Sequence, residues 1–214
     1  MNEMITEGRE KRIRDVYSKR QKDLVVVLEN VWDPHNVSAV FRSCDSVGVA
    51  TIYLVYPEGN FPHISHATSS SASNWVSIKK FKSITACYKS LKKDKFKIFT
   101  TYIDNEKLND LNSIENLFSL DLTKKVALVF GNEKDGVSKS AYELADQNFL
   151  IPMVGMVMSL NISVSVAVTL YEAMRQRLIK DVYKKSQYTK KEIDEKVKAD
   201  VWERINKRMK RTTD

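Results

Sequence analysis

Five short apolar runs constrain this chain most, because segments with a helical pattern separate them. The runs are Leu24–Leu28, Thr51–Val55, Lys97–Thr101, Val126–Phe130 and Phe149–Ile151. A short, continuous, β-branched run is typical of a strand that is buried on both faces of a parallel sheet. Helical patterns near residues 36–47, 83–93 and 138–145 lie between the runs. The sequence therefore predicts an α/β fold built on a parallel sheet.

Both ends of the chain are predicted to be helical. Residues 3–20 have sparse apolar positions that suit a short amphipathic helix packed on the core. A long helix is expected over residues 161–184, and Lys190–Lys210 carries apolar residues about one turn apart. Trp202 lies on that apolar stripe, so we expect it to pack within the protein rather than to stack on a nucleic-acid base.

The positive charge is concentrated at the two ends. Of the formal net charge of +8, residues 1–22 carry +3, residues 23–170 carry −1 and residues 171–214 carry +6. Cationic ends around a nearly neutral middle suit a polyanionic partner such as nucleic acid. Solvated lysine-rich helices explain the same distribution, and charge alone does not separate the two interpretations.

Other classes of protein fit the sequence poorly. Cys44 and Cys87 have no metal-like spacing, which argues against a disulfide framework and suits a reducing cytosol. The three histidines, His35, His63 and His66, have no paired ligand set, so we expect no metal. The first residues resemble no signal peptide, and the apolar runs are far shorter than the roughly 20 residues that cross a bilayer.

Polar residues follow the first predicted strand. In the segment Asp33–Arg42, either His35 or Asn36 could cap the helix that begins there. Capping does not explain Arg42, which lies two turns further along and would by default be an ordinary surface residue.

A second polar segment, Phe130–Ser138, follows a buried strand. Gly131 and Gly136 have the spacing of a phosphate-binding loop, but the lysine that this motif requires is absent. No pair of glycines has the G-x-G spacing of a dinucleotide fold. What remains is a glycine-containing turn that holds Glu133 at the carboxyl edge of the sheet, where open α/β sheets bind ligands.

The third segment, Ile151–Ser163, is an apolar loop that leads into a helix. It contains one glycine, one proline and three methionines, and its helix begins with serine and asparagine. Such a loop could surround a flat apolar ligand, and the exposed N–H groups of the helix start could hold a polar group. A capped helix after a buried loop is the structural alternative.

Taken in order, the three segments resemble a known motif set. They read N-x5-R, F-G-N-E-K-x-G-V-S and I-P-M-x-G-M-x-x-S-L-N-x-S. This set is similar to that of the SPOUT methyltransferases, in particular the SpoU/TrmH group of RNA 2′-O-ribose methyltransferases. The resemblance extends to Val26–Glu29, Asn74–Val76 and Leu170–Leu178, and so covers nearly the whole chain.

The resemblance implies a fold and an assembly. The expected architecture is a parallel-sheet SPOUT fold whose C-terminal part forms a deep trefoil knot, flanked by N- and C-terminal helices. The expected organisation is a basic helical extension at residues 1–22, a methyltransferase core at 23–178 and a second basic helical extension at 179–214. A cytoplasmic homodimer without a membrane or metal requirement is expected.

The resemblance also implies an activity and its residues. The expected reaction is S-adenosyl-L-methionine-dependent 2′-O-methylation of a tRNA ribose, with guanosine 18 in the D-loop as the first expectation. Another tRNA position or ribosomal RNA is the alternative, and a catalytically inactive RNA-binding protein is a third. The residues implied for catalysis are Arg42, Asn36, Glu133, Ser159 and Asn161, with Ser163 as a secondary candidate. Those implied for S-adenosylmethionine are Thr101, Gly131, Ile151, Met156 and Leu160.

RNA contacts are predicted from the distribution of basic residues, because phosphate contacts by Lys and Arg dominate RNA affinity. The candidates lie in the two terminal helices. They are Arg9, Arg12, Arg14, Lys19, Arg20, Lys207, Arg208, Lys210 and Arg211.

Overall fold

The structure, a computed structural model, describes residues 6–59, 61–62, 72–102, 115–157 and 159–212. The chain divides into a sheet unit, residues 22–182, and a helical unit formed by residues 1–21 together with 183–214. The helical unit carries +7 of the net charge of +8. Within the described ranges, no helix is both long enough and apolar enough to span a bilayer.

The sheet has seven strands in the order β3-β2-β1-β6-β4-β7-β5. Registers are parallel for β1 with β6, β2 with β3, β4 with β6 and β7, and β5 with β7. All five predicted strands are confirmed, and β3 and β5 were not predicted. The strands are β1 (Gln21–Glu29), β2 (Val49–Val55), β3 (Ser77–Phe81), β4 (Lys97–Thr101), β5 (Glu115–Asn116), β6 (Val126–Phe130) and β7 (Gln147–Leu150).

Four helices cover the two faces of the sheet. They are α2 (Pro34–Val47), α3 (Ile84–Lys93), α4 (Lys139–Leu144) and α5 (Ile162–Ile179). Helices α2 and α5 pack on one face, against Leu24, Val26 and Leu28 of β1. Helices α3 and α4 pack on the other face, against Val25 and Val27. Because both faces are covered, β1 is apolar at successive positions and has no alternating pattern.

Helix α5 ends before the predicted position. The prediction extended to Lys184, but Asp181 has a left-handed backbone conformation (φ 56°), and only a short 3₁₀ turn, Val182–Lys184, follows. A left-handed residue interrupts the helical hydrogen-bond pattern, so the long helix stops at Ile179.

The helical unit consists of α1 (Glu7–Lys19) packed on α6 (Lys190–Thr212). Ile13, Tyr17 and Val197 are buried, and the Tyr17 ring meets the Tyr188 ring edge-on with centroids 5.7 Å apart. The two terminal segments, which were predicted as separate extensions, therefore pack together.

The connections define a crevice at one edge of the sheet. From β1 the chain passes through α2 to β2, whereas from β6 it passes through α4 to β7 on the other side. β1 and β6 are neighbours, so the chain direction reverses between their carboxyl ends. Open α/β sheets bind ligands at such switch points.

Candidate active site

A cavity of about 480 Å³ lies beyond the carboxyl ends of β4, β6 and β7. Its lining includes four of the five residues expected to bind a cofactor, namely Thr101, Gly131, Ile151 and Leu160. The fifth, Met156, does not line the cavity, and 97% of its accessible surface is exposed. Met156 lies in a part of its loop that faces solvent. Met153, earlier in the same loop, lines the cavity instead.

The turn after β6 forms one wall. Asn132 and Gly136 exchange two backbone hydrogen bonds, of 3.1 and 3.0 Å, and Asn132 Oδ1 accepts from the backbone N–H groups of Lys134 and Asp135. A Cβ atom at Gly131 would lie 1.8 Å from the Gly136 carbonyl oxygen, so only glycine fits there. This close approach explains the glycine spacing that resembled a phosphate-binding loop.

The helix cap at the first motif differs from the prediction. The N-cap of α2 is Asp33, whose carboxylate accepts from the His35 backbone N–H at 2.8 Å, and Pro34 occupies the first helical turn. Neither His35 nor Asn36 caps the helix. Because Asp33 has that role, the Asn36 side chain is available for other partners.

Asn36, Glu133 and Asn161 form a hydrogen-bonded chain that joins the three motif segments. Asn161 Nδ2 donates to Asn36 Oδ1 at 3.1 Å, and Asn36 Nδ2 donates to Glu133 Oε1. Asn161 Oδ1 accepts from the Ser163 backbone N–H at 2.9 Å and from Ser163 Oγ at 2.6 Å, which caps α5. The fold thus brings Asn36 into contact with Glu133, 97 positions later in the chain, and with Asn161, 125 positions later.

The predicted catalytic residues are only partly gathered. Glu133, Ser159 and Asn161 line the cavity, and Asn36 reaches it through its two partners. Arg42 is exposed on α2 and does not line the cavity. Within the described part of the chain, no hydrogen bond or ion pair joins Arg42 to Asn36, Glu133 or Asn161.

Two features of this site were not predicted from the sequence. Tyr102 lines the cavity directly after Thr101, and its ring lies 4.1 Å from that of Tyr142, centroid to centroid. Glu29, buried at the end of β1, accepts from the Ser138 backbone N–H at 2.9 Å, tying β1 to the start of α4. Tyr102 directly follows β4, and this position at the carboxyl end of a strand could have marked it as a candidate site residue.

The predicted RNA contacts divide into three groups. Arg12 and Lys19 are exposed. Arg9 forms a bidentate pair with Asp200, at 2.6 and 2.9 Å, and Arg14 pairs with Asp194 at 2.6 Å. Arg20 is fully buried, so its predicted place on an RNA-binding surface is wrong. The side chains of Lys207, Arg208, Lys210 and Arg211 lie outside the described part, as do His63 and His66.

Trp202 also differs from its prediction, because 64% of its accessible surface is exposed. It was expected to pack on the apolar stripe of its helix. Of that stripe, Val197 is buried and Ile193, Val201 and Ile205 are partly covered. Trp202 lies outside the sector of α6 that these residues occupy.

An open parallel α/β sheet with a cavity beyond its carboxyl ends, walled by a glycine turn and a capped helix, is typical of a ligand-binding α/β protein. Residues 23–171 match the SpoU rRNA Methylase family. This chain belongs to that family. Within the described ranges, no group of three or more His, Cys, Asp or Glu residues is arranged to hold a metal ion.

Two curated relatives are similar along most of the chain. The tRNA (guanosine(18)-2′-O)-methyltransferase of Aquifex aeolicus is 38% identical over 212 residues, which is 99% of this chain and 97% of that protein. The protein of the same name from Thermus thermophilus is 42% identical over 195 residues, covering 91% of this chain and 96% of that protein.

Solved structures show the same fold. The A. aeolicus TrmH/SpoU tRNA modifying enzyme superimposes with a TM-score of 0.83 at 39% identity, covering 92% of this chain and 96% of that one. The SpoU methyltransferase AviRb from Streptomyces viridochromogenes, in complex with AdoMet, superimposes with a TM-score of 0.64 at 22% identity, covering 76% and 64%.

Proposed function

We propose that this protein transfers a methyl group from S-adenosyl-L-methionine to the ribose 2′-oxygen of guanosine 18 in the tRNA D-loop. The similarity to tRNA guanosine-18 methyltransferases over nearly the full length of both chains supports this substrate. The observation that carries the proposal is the chain of Asn36, Glu133 and Asn161 beside the cavity, because it unites all three motif segments.

The cavity suits S-adenosyl-L-methionine. Its volume lies within the range of roughly 300–1,000 Å³ that is usual for small-molecule sites. Phe130, Phe149 and Leu160 offer apolar walls, and the glycine turn and the loop before α5 offer backbone groups. When bound, the cofactor would supply an electrophilic methyl group.

The residues around the cavity would orient the ribose and manage its proton. Glu133 Oε1 is held by Asn36, and a fixed carboxylate beside the cavity can accept a hydrogen bond from a 2′-hydroxyl. Placing the hydroxyl in line with the methyl carbon accounts for much of the rate enhancement that such a site can provide.

Arg42 would act on the RNA backbone. An arginine stays protonated in proteins, so it orients a phosphate and stabilises developing negative charge more readily than it removes a proton. Its exposed position on α2 leaves it open to an RNA phosphate. Arg12, Lys19 and the cationic end of α6 would add phosphate contacts.

A homodimer is part of this proposal. Val164, Tyr171 and Leu178 are seven residues apart on α5 and all exposed, which forms an apolar stripe on the sheet unit. Such a stripe suits a second copy of the chain better than water.

A trefoil knot and a cytoplasmic location complete the proposal. The insertion of β6 between β1 and β4, and the return of α5 to the α2 face after α4 has packed on the opposite face, support the knot. A tRNA substrate supports the location.

The decisive experiment is mass-spectrometric mapping of 2′-O-methylated nucleotides in tRNA treated with the protein and S-adenosylmethionine. We expect one new methyl group, at guanosine 18. Methylation at another tRNA position or in ribosomal RNA would support the alternative substrate, and no methylation would support an inactive RNA-binding protein. Arg42→Ala should abolish transfer while cofactor binding, measured by calorimetry, stays near wild type. Turnover near wild type in this variant would contradict the role of Arg42.

A further inference from the structure

We infer that Trp32, Phe61, Lys80 and Lys82 form an RNA-docking surface on the sheet unit, in which Trp32 stacks on an unpaired base and the lysines contact phosphates. We call these four residues the aromatic–lysine surface. The inference rests on the proposed function, because it concerns the nucleotides that flank the target ribose. It places RNA contacts outside the terminal helices.

Trp32 is held rigidly but remains accessible. Its ring meets Tyr56 edge-on, with centroids 5.2 Å apart and an interplanar angle of 76°, and 46% of its accessible surface is exposed. Tyr56 is fully buried, and its hydroxyl donates to the Val31 carbonyl oxygen, directly before Trp32 in the chain. Burial raises the pKa of Tyr56, so the hydroxyl keeps its proton and stays a donor. The supported, exposed indole offers a flat face on which a base could stack.

The lysines extend the aromatic surface. Phe61 also meets the Tyr56 ring edge-on, with centroids 5.4 Å apart, and the Lys80 ammonium lies 4.8 Å from the Phe61 centroid. Lys82 is exposed, and its Cε lies 3.8 Å from the position that a Cβ at Gly59 would take. From Ser77 to Lys82 the chain has three lysines and no acidic residue.

The fold places this surface at the edge of the sheet that carries the candidate active site. Trp32 follows β1 and precedes Asn36 by four positions in the chain. In the parallel register of β2 and β3, Lys80 pairs with Leu54, so the ammonium lies on the face that α2 covers. Carboxyl ends of parallel strands meet at one edge, so the surface extends outward from the site across β1, β2 and β3.

RNA is the occupant that this chemistry favours. Unpaired loop nucleotides of folded RNA expose their bases, and proteins hold such bases by stacking them on aromatic side chains. Stacking on an aromatic side chain is tolerant of base identity, and lysines beside it follow the backbone. An apolar protein partner would offer no negative charge to pair with the lysines, whereas RNA phosphates would.

The first test uses tryptophan fluorescence of the full chain. The double variant Trp75→Phe/Trp202→Phe leaves Trp32 as the only tryptophan. We expect saturating tRNA transcript to quench its emission, because a stacked base quenches indole fluorescence. Emission that is unchanged at saturating tRNA would overturn the inference.

The second test measures tRNA affinity against salt. Trp32→Leu, which keeps apolar contact with Tyr56, should weaken binding roughly ten-fold, whereas Trp32→Phe should retain most of the affinity. Lys80→Gln/Lys82→Gln should reduce the slope of log affinity against log salt by about one for each lysine that contacts a phosphate. Unchanged affinity and slope in these variants would contradict the inference.

A matched control is available on the opposite edge of the sheet. The Lys125 ammonium lies 4.6 Å from the Phe96 centroid, at the amino end of β6, with the same chemistry as the Lys80–Phe61 pair. Lys125→Gln should leave the salt slope unchanged. An equal effect of Lys125→Gln would mean that charge alone matters, and would overturn the inference.

Two further readouts separate the possible failures. If Trp32→Leu weakens tRNA binding only together with loss of the dimer in light scattering, the surface is a protein interface and the inference is wrong. If the wild-type protein methylates guanosine 18 and all surface variants bind tRNA normally, only this inference fails. If the wild-type protein methylates no tRNA, the proposed function fails.

Discussion

At the scale of single residues, the amide of Asn161 determines the direction of the hydrogen bonds in the site. Its oxygen is committed to capping α5 through Ser163, so only its nitrogen can face Asn36. The Asn36 oxygen then accepts, and its nitrogen must donate to Glu133. The chain therefore ends on a Glu133 oxygen that accepts a hydrogen bond beside the cavity.

The variant Asn161→Asp separates the two roles of this residue, which caps α5 with its side-chain oxygen and donates to Asn36 with its side-chain nitrogen. Aspartate caps helices as well as asparagine does, so the free energy of unfolding should change by less than about 1 kcal/mol. Aspartate cannot donate to Asn36 Oδ1, so turnover should fall by about ten-fold or more, as expected for a lost hydrogen bond next to a charged group.

The measurements are urea denaturation and single-turnover methylation. Asn161→Ala is the matched control, because it removes both roles and should lower stability by about 1 kcal/mol as well as turnover. Wild-type turnover in Asn161→Asp would show that the chain of amides does not orient the site.

At the scale of elements, the end of α5 is anchored by a fully buried arginine. Arg177 Nε donates to the Leu122 carbonyl at 3.0 Å, Nη2 donates to that of Lys124 at 2.6 Å, and Nη1 pairs with Asp23 at 2.5 Å. The neighbouring Gln176 accepts from the Leu122 N–H and donates to the Leu120 carbonyl. These bonds fix the helix that begins at Asn161, so they hold the site from its distant end.

Arg177→Met should destabilise the sheet unit by about 3–5 kcal/mol, because it leaves Asp23 and two carbonyl groups without their buried donor. Arg175→Met, on the exposed side of the same helix, removes a pair with Glu172 and should cost much less than Arg177→Met, because solvent screens the exposed guanidinium. Urea denaturation measures both. Equal losses in the two variants would contradict the anchoring role.

The packing of α1 on α6 should depend on pH through Asp194. The hydrogen bond from Arg14 lowers the pKa of Asp194, so the folded helical unit favours the ionised form. A lowered pKa contributes stability above the unfolded value, about 3.9, that is lost as the pH falls through the folded value.

Amide hydrogen exchange of α1 tests this dependence. Asp194→Asn should reduce protection of α1 at pH 7 relative to wild type, and the difference should shrink as the pH falls below the unfolded value and wild-type Asp194 takes up a proton. A difference that does not shrink in acid would assign the effect to packing instead of charge.

At the scale of the whole molecule, most of the net positive charge lies in one unit of the chain and the cavity lies in the other. The helical unit carries +7, whereas the sheet unit holds the cavity with a net charge of +1. We therefore expect long-range attraction of RNA to come mainly from the helical unit and ligand selection to come from the sheet unit. Of the basic residues of α1, Arg9 and Arg14 contribute mostly to packing, because aspartates of α6 neutralise them.

Self-association should require the apolar stripe of α5. Tyr171→Glu places a charge in the middle of the stripe and should convert the proposed dimer to a monomer without lowering the stability of the sheet unit, because Tyr171 is exposed. Light scattering coupled to size-exclusion chromatography measures the change. Glu143→Gln on α4, on the opposite face of the sheet, is the control and should remain dimeric. An unchanged mass for Tyr171→Glu would place the dimer contact elsewhere.

By itself, the sequence determined five of the seven described strands and most of the helices. Burial on both faces makes Leu24–Leu28 and Val126–Phe130 continuously apolar, and that pattern is visible without a structure. The motif residues Asn36, Glu133 and Asn161 were also identifiable, since each follows a strand or begins a helix. Strand β3 was not, because it lies at the edge of the sheet and its residues are largely exposed.

Only the tertiary structure decided which side chains meet. Asn36 could have been a helix cap, and it became a link between Glu133 and Asn161 because Asp33 has the capping role. Tertiary contacts also decided the burial of Arg20 and the exposure of Trp202, both of which differ from the prediction. Propensity and periodicity act over a few residues, whereas these outcomes depend on contacts between distant segments that chain topology alone brings together.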